Sequence, residues 1–181
     1  MKLLIASDLH GDAECTAELL DIFEKEKCDK ILLLGDILYH GPRNDLPSGY
    51  APKKVIALLN EVSDKILAVR GNCDTEVDQM VLNFPILADY AYVSVGGTTV
   101  FATHGHKFGF DNPPPLRTNE ILLTGHTHVL KIEKLGCGNY YLNPGSVSIP
   151  KEGNPRSYAV LENQRFEIKD FSGKVILAKD F

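Results

Sequence analysis

The chain has 181 residues, 44% hydrophobic and 24% charged, with a formal net charge of −5. That is the make-up of one globular domain, 1–181, long enough to enclose a core, and its acidic balance argues against a broad nucleic-acid surface. The opening MKLLIASDLHGD holds an apolar stretch of only five residues, too short for a signal peptide or a membrane span, so a cytoplasmic protein without a membrane partner is expected.

Residues 2–7 (KLLIAS) predict a first strand, broken by Asp8-Leu9-His10-Gly11-Asp12. A helix should follow, capped by Asp12, because Thr16, Leu19, Leu20 and Phe23 recur at helical spacing. Residues 30–34 (KILLL) are a second buried strand ending at Gly35-Asp36, and 40–50 (HGPRNDLPSGY) is a loop. Pro52 opens a second helix carrying Val55, Ile56, Leu58 and Leu59, and Ile66–Val69 is a third strand ending at Arg70-Gly71-Asn72. The rhythm then changes. Residues 90–95 and 98–103 form a hairpin at Gly96-Gly97, Pro113-Pro114-Pro115 precedes a strand at 120–123, and short strands are expected at 129–134, 139–142, 157–162, 165–170 and 174–179. A βαβαβ first half and a mostly antiparallel second half imply an α/β (α+β mixed) fold, with two mixed sheets packed together and helices outside.

Four cysteines lie scattered with no Cys-x-x-Cys pair, which excludes a zinc ribbon or a dithiol motif and suits reduced thiols. The polar residues at strand ends are more informative. Asp8 and His10 follow the first strand, Asp36 the second, Asn72 the third, His104 the strand ending at Thr103, and His126 and His128 the strand ending at Thr124. In α/β sheets, ligand sites gather outside the carboxyl ends of strands. In extended chain, Asp8/His10 and His126/His128 can each aim two side chains one way. Imidazole, carboxylate and one amide oxygen suit Mn, Fe, Zn, Co or Ni.

Asp-x-His, Gly-Asp, Gly-Asn-x-Asp, Gly-His-Gly-type and Gly-His-x-His blocks, in this order over 8–128, resemble the calcineurin-like metallophosphoesterases. GDILYHGPRN, VRGNCD and NPGSVSIPK further resemble small bacterial phosphodiesterases of that superfamily. The resemblance implies a four-layer α/β/β/α sandwich and two adjacent divalent metals, manganese first, with zinc, iron, nickel and cobalt as alternatives. Asp8, His10 and His128 would hold one ion, and Asn72, His104 and His126 the other. Asp36 would bridge them with one carboxylate oxygen on each, about 3.5–4 Å apart, and a bridging hydroxide would attack phosphorus in line. Asp36, Asn72, Cys73 and His104 are thus the expected catalytic residues, acting on a small phosphodiester. Arg43, Cys73 and His106 are candidates for substrate contact, with Arg43 able to fork onto phosphate oxygens.

The chain departs from many relatives at Cys73, where they carry a histidine that can protonate the leaving group. A thiol is a weaker acid, so good leaving groups should be favoured. A covalent cysteine step is redundant where an activated hydroxide is already placed. Two readings remain beside this one: a phosphomonoesterase or nucleotide pyrophosphatase, and a non-catalytic protein-interaction scaffold on the same fold. Homo-oligomerisation stays open.

Overall fold

A computed structural model describes residues 1–181. Strand β1 (Lys2–Ala6) leads to helix α1 (Ala13–Glu26), β2 (Lys30–Leu33), helix α2 (Pro52–Glu61) and β3 (Ile66–Ala68). Asp12 caps α1 from an extended backbone, its carboxylate accepting the Cys15 N–H at 2.9 Å. Pro52 occupies the first turn of α2, where an absent N–H costs nothing. A short helix α3 (Glu76–Gln79) adds to the expected elements, fixed by a capping box between Thr75 and Asp78. Then come β4 (Tyr90–Val95), β5 (Thr98–Thr103), β6 (Glu120–Leu123), β7 (Lys131–Lys134), β8 (Tyr140–Asn143), β9 (Ser157–Glu162), β10 (Arg165–Asp170) and β11 (Val175–Asp180).

These strands form two mixed sheets, ordered β11-β10-β9-β1-β2-β3 and β4-β5-β6-β8-β7. The sheets do not divide at the middle of the chain, as the change of rhythm suggests. The last three strands return to the first sheet, β9 pairing antiparallel with β1 in the register Leu3↔Leu161 and Ile5↔Ala159. The physical reason is that β1 is buried on both faces, so its free edge needs hydrogen-bond partners that water cannot supply.

Side-chain alternation splits the parallel strands between two cores. Leu4, Ala6, Ile31 and Leu33 face α1 and α2, while Leu3, Ile5, Leu32 and Leu34 face the second sheet. Each of these leucines is essentially sealed, worth about 1.5–3 kcal/mol of burial per side chain. Helices α1 and α2 therefore cover the first sheet. On the outer face of the second, Phe101, Leu122 and Tyr141 are covered by Phe108, Phe110 and Leu116 from a segment without a helix. No helix is long and apolar enough to cross a membrane.

The parallel strands matter most for function. β1, β2 and β3 run the same way, as do β5, β6 and β8, so their carboxyl ends bring distant segments to common edges.

Candidate metal centre

Each candidate ligand lies in the first residues after one of these strands. Asp8 and His10 follow β1, Asp36 follows β2, Asn72 follows β3, His104 follows β5, and His126 and His128 follow β6. Five of the seven sit in the left-handed region: Asp8 (φ 58°), His10 (φ 48°), Asp36 (φ 55°), His126 (φ 66°) and His128 (φ 61°). Non-glycine residues held there cost roughly 1–3 kcal/mol each, a strain that persists only where surrounding structure imposes it. Backbone bonds do so here. Asp8 N–H donates to Gly35 at 3.1 Å, and His10 N–H donates to Asp36 at 2.9 Å. Gly35 (φ 98°) must remain glycine, because a Cβ would run into the backbone of Gly71.

The structure gathers the seven residues into two sets. In the first, Asp8 Oδ1 lies 3.5 Å from His10 Nε2 and 3.3 Å from His128 Nε2, and the two nitrogens are 3.3 Å apart. In the second, His104 Nε2 lies 3.0 Å from Asn72 Oδ1, 3.2 Å from His126 Nδ1 and 3.4 Å from Asp36 Oδ2. Asp36 Oδ2 also reaches 3.8 Å from His10 Nε2, which places one oxygen between the sets. The other oxygen, Oδ1, accepts the Cys73 N–H at 2.8 Å. Asp36 therefore stands between the two sets, with Oδ2 within 4 Å of a histidine nitrogen from each and Oδ1 tied to the Cys73 N–H.

The protons decide what these sets can hold. His10, His128 and His104 place Nδ1 at 2.8, 2.6 and 2.7 Å from the carbonyls of Tyr39, Ile149 and Leu34. A carbonyl only accepts, so Nδ1 carries a hydrogen, and Nε2 of each ring is the atom turned inward, free to offer a lone pair when the ring is neutral. Asn72 donates from Nδ2 to Cys73 Sγ at 3.3 Å, which turns its oxygen inward as well. Asp8 Oδ2 takes the Ser7 hydroxyl at 2.7 Å and the His126 N–H at 3.0 Å, whereas Oδ1 is buried with no hydrogen-bond partner. Convergent lone pairs repel, and burying them is costly unless a cation joins them, whether a metal ion or, in its absence, a proton. The donor set fits two divalent ions.

The titration shifts point the same way. Burial opposes charge on His104, yet the Asp36 and Asp8 carboxylates outweigh it and lift the imidazole to about 9. Burial would raise Asp8, but contacts from His10 and His128 hold it well below the usual carboxylate range. Burial and the charge on His104 push His126 down to about 4. In metal-free protein a proton on His104 supplies the positive charge that the carboxylates demand.

Residues without ligand roles hold the ligands in place. Asp74, 1% exposed, accepts N–H groups from Asp36 (2.8 Å), Gly71 (2.7 Å) and Ile37 (2.9 Å), tying the ends of β2 and β3 together. Burial pushes its carboxyl upward against those bonds. Ser146 and Ser148 each donate a hydroxyl to the Asp8 carbonyl at 2.9 Å. The stretch NPGSVSIP, which reads in sequence as a simple Pro/Gly turn, is thus a buttress for Asp8 and, through Ile149, for His128.

A cavity of about 440 Å³ opens above the two sets, floored by Asp36, Asn72, His126 and His128 and walled by Arg43 and Lys151. Arg43 therefore faces it as expected. Lys151, the last residue of the NPGSVSIPK stretch, is an addition to the expected site residues. Cys73 also lines the cavity, and burial together with the Asp36 carboxylate pushes its thiol well upward. His106 is placed differently. Its ring lies 5.4 Å from that of His104 and 6.2 Å from that of His126, yet it is not among the residues that wall the cavity.

This fold, with convergent donors at its strand ends, is that of the metallophosphoesterases. Residues 1–165 match the calcineurin-like phosphoesterase superfamily domain, and the chain belongs to that superfamily. It is 49% identical over 179 residues to phosphodiesterase YfcE of Escherichia coli K12, covering 99% of this chain and 97% of that protein. A solved structure of the E. coli phosphoesterase YfcE superposes with a TM-score of 0.95 at 48% identity, covering 99% of both chains. The probable metallophosphoesterase YsnB of Bacillus subtilis is 28% identical over 98% of this chain and 100% of its own. Vacuolar protein sorting 29 of Cryptosporidium parvum, at 19% identity, 99% and 97% coverage and a TM-score of 0.64, shares the fold.

Proposed function

We propose that the chain, acting as one catalytic unit, hydrolyses small phosphodiesters at a dinuclear divalent-metal centre. The supporting observation is the pair of donor sets whose nitrogen and oxygen atoms converge beneath a cavity walled by cations, with Nδ1 of His10, His104 and His128 tied to carbonyls. Asp8, His10 and His128 would hold one ion, Asn72, His104 and His126 the other, with Asp36 lying between the two sets. Two such ions, when bound, polarise the phosphoryl oxygens and lower the pKa of the attacking water. The chain's own residues orient and discriminate. Carbonyls at Tyr39, Ile149 and Leu34 fix the imidazole tautomers, the Cys73 N–H fixes Asp36, and Arg43 and Lys151 draw an anion into an acidic protein.

Cys73 offers a thiol where a proton donor for the departing alkoxide would be useful, so substrates whose leaving group departs without help are preferred. The same deficit disfavours alkyl phosphomonoesters. A pure scaffold role does not account for seven intact ligands with aligned tautomers. Identity to the phosphodiesterase YfcE over nearly the full chain supports the diester reading. Manganese is proposed first and zinc second. The test is elemental analysis of purified protein together with chromogenic diesters and monoesters, assayed in Mn²⁺, Zn²⁺ and chelator. Mn²⁺-dependent diester hydrolysis is expected, whereas no bound metal and no metal-dependent turnover would defeat the proposal.

A further inference from the structure

Beyond the donor floor, the cavity has a chemistry of its own. Arg43 and Lys151 are both exposed, both line it, and neither has a carboxylate within 4 Å. The other walls are Gly41, Pro42, Asn44, Cys73 and Thr127, with no aromatic ring and no aliphatic side chain beyond proline. A nucleobase or aryl group therefore finds no aromatic ring on these walls to stack against.

Charge bookkeeping shows what the two cations are for. A phosphodiester carries one negative charge, and two divalent ions over Asp8, Asp36 and an attacking hydroxide would leave about +1 to receive it. Two more cations on the far wall exceed what the reacting group requires. The two side chains come from different segments, the loop after Asp36 and the loop after β8, so no local sequence constraint pairs them.

We propose that Arg43 and Lys151 form a subsite for a second phosphate group, making the preferred substrates phosphodiesters that carry a further phosphate on one alcohol. Arg43 supplies a forked donor and Lys151 a point charge, the pairing suited to a dianion. This inference rests on the phosphodiesterase reading of the same site.

The experiment compares two p-nitrophenyl diesters in Mn²⁺-loaded protein: p-nitrophenyl ethyl phosphate, and the same compound with a phosphate at the end of the ethyl arm. The parent protein should favour the phosphorylated diester in kcat/KM by about tenfold or more, with the preference shrinking as salt rises. In Arg43→Ala and in Lys151→Ala that ratio should fall toward one, and Arg43→Lys should restore part of it. Equal kcat/KM for the two diesters in the parent, or an unchanged ratio in both variants, overturns the subsite. A second readout needs no turnover. Calorimetric binding of 2-phosphoethyl phosphate should exceed that of ethyl phosphate by about tenfold in the parent, and the gap should close in both variants. If the gap behaves so while neither diester is hydrolysed, the subsite stands and the hydrolytic reading falls. If diesters are hydrolysed without discrimination, the hydrolytic reading stands and the subsite falls.

Discussion

Asp74→Ala should damage both stability and metal binding, although Asp74 offers nothing to a metal. Its two oxygens accept three buried backbone N–H groups, from Asp36, Gly71 and Ile37, at 2.7–2.9 Å. An unsatisfied buried donor costs about 1–3 kcal/mol, and relief of the buried carboxylate's own desolvation offsets part of the sum. A net loss of about 3 kcal/mol is expected, and in a chain of this length each kcal/mol lowers Tm by about 2–4 °C, giving a drop of roughly 6–12 °C. Asp74→Asn keeps one accepting oxygen but turns an NH₂ against a backbone N–H, so about half that loss should appear. Asp36 hangs from the same bonds, so apparent Mn²⁺ affinity should also fall about 10- to 100-fold in Asp74→Ala, the usual cost of losing a group that orients a ligand. Scanning calorimetry of metal-free protein reads the first effect, and Mn²⁺ titration reads the second. A Tm within 2 °C of the parent, with unchanged metal affinity, would refute the view that Asp74 holds the centre together.

The remaining expectations follow from other groups. Cys73→His should raise turnover by about tenfold or more for alkyl leaving groups and by little for p-nitrophenolate, since a positioned acid contributes about 10²–10⁴-fold only where protonation is needed. A rate ratio independent of leaving-group pKa would refute this. Glu26 accepts from Lys169 at 2.8 Å and Lys2 at 3.0 Å, and although burial opposes its charge, these lysines bring its pKa from 4.5 to about 2. A depressed carboxyl stabilises the fold above its unfolded pKa and loses that contribution as pH falls from about 4.5 to about 2, here about 1–2 kcal/mol after solvent screening. Urea midpoints at pH 5 and pH 2.5 should differ less in Glu26→Gln than in the parent. Finally, His104 is lifted to about 9 in the absence of metal, so a divalent ion that takes its Nε2 would displace a proton there. Apparent affinity should therefore rise with pH up to about 9, and binding heats at pH 7 should vary with buffer ionisation enthalpy. Buffer-independent heats would contradict the displacement.

The candidate ligands were legible because their signal is local. A polar residue after an apolar run, a glycine beside it and i, i+2 spacing can all be read within ten residues, and β1 with Asp8 and His10 shows the three together. The cap at Asp12 and the start at Pro52 were legible for the same reason. What holds the ligands was not. Ser146 and Ser148 reach the Asp8 carbonyl across 138 and 140 residues, and a hydroxyl bound for a distant backbone oxygen leaves no periodic trace. Lys151 comes to line the same cavity as Arg43 only through the sheet topology. The return of β9 to β1 was hidden likewise, since alternation reveals which face of a strand is buried but not its neighbour. The left-handed backbone at His126 and His128 carries no glycine to announce it.

The sequence separation of the centre's parts also dictates when it can exist. The His126 N–H that bonds the Asp8 carboxylate is made 118 residues after it, and the serines that brace its carbonyl later still. At a synthesis rate of about 5–20 residues per second, the first half of the chain waits several seconds with a carboxylate and an imidazole but no enclosed site. A nascent chain therefore has little hold on divalent ions, and the choice of metal falls to the finished protein and to the ions around it at that moment.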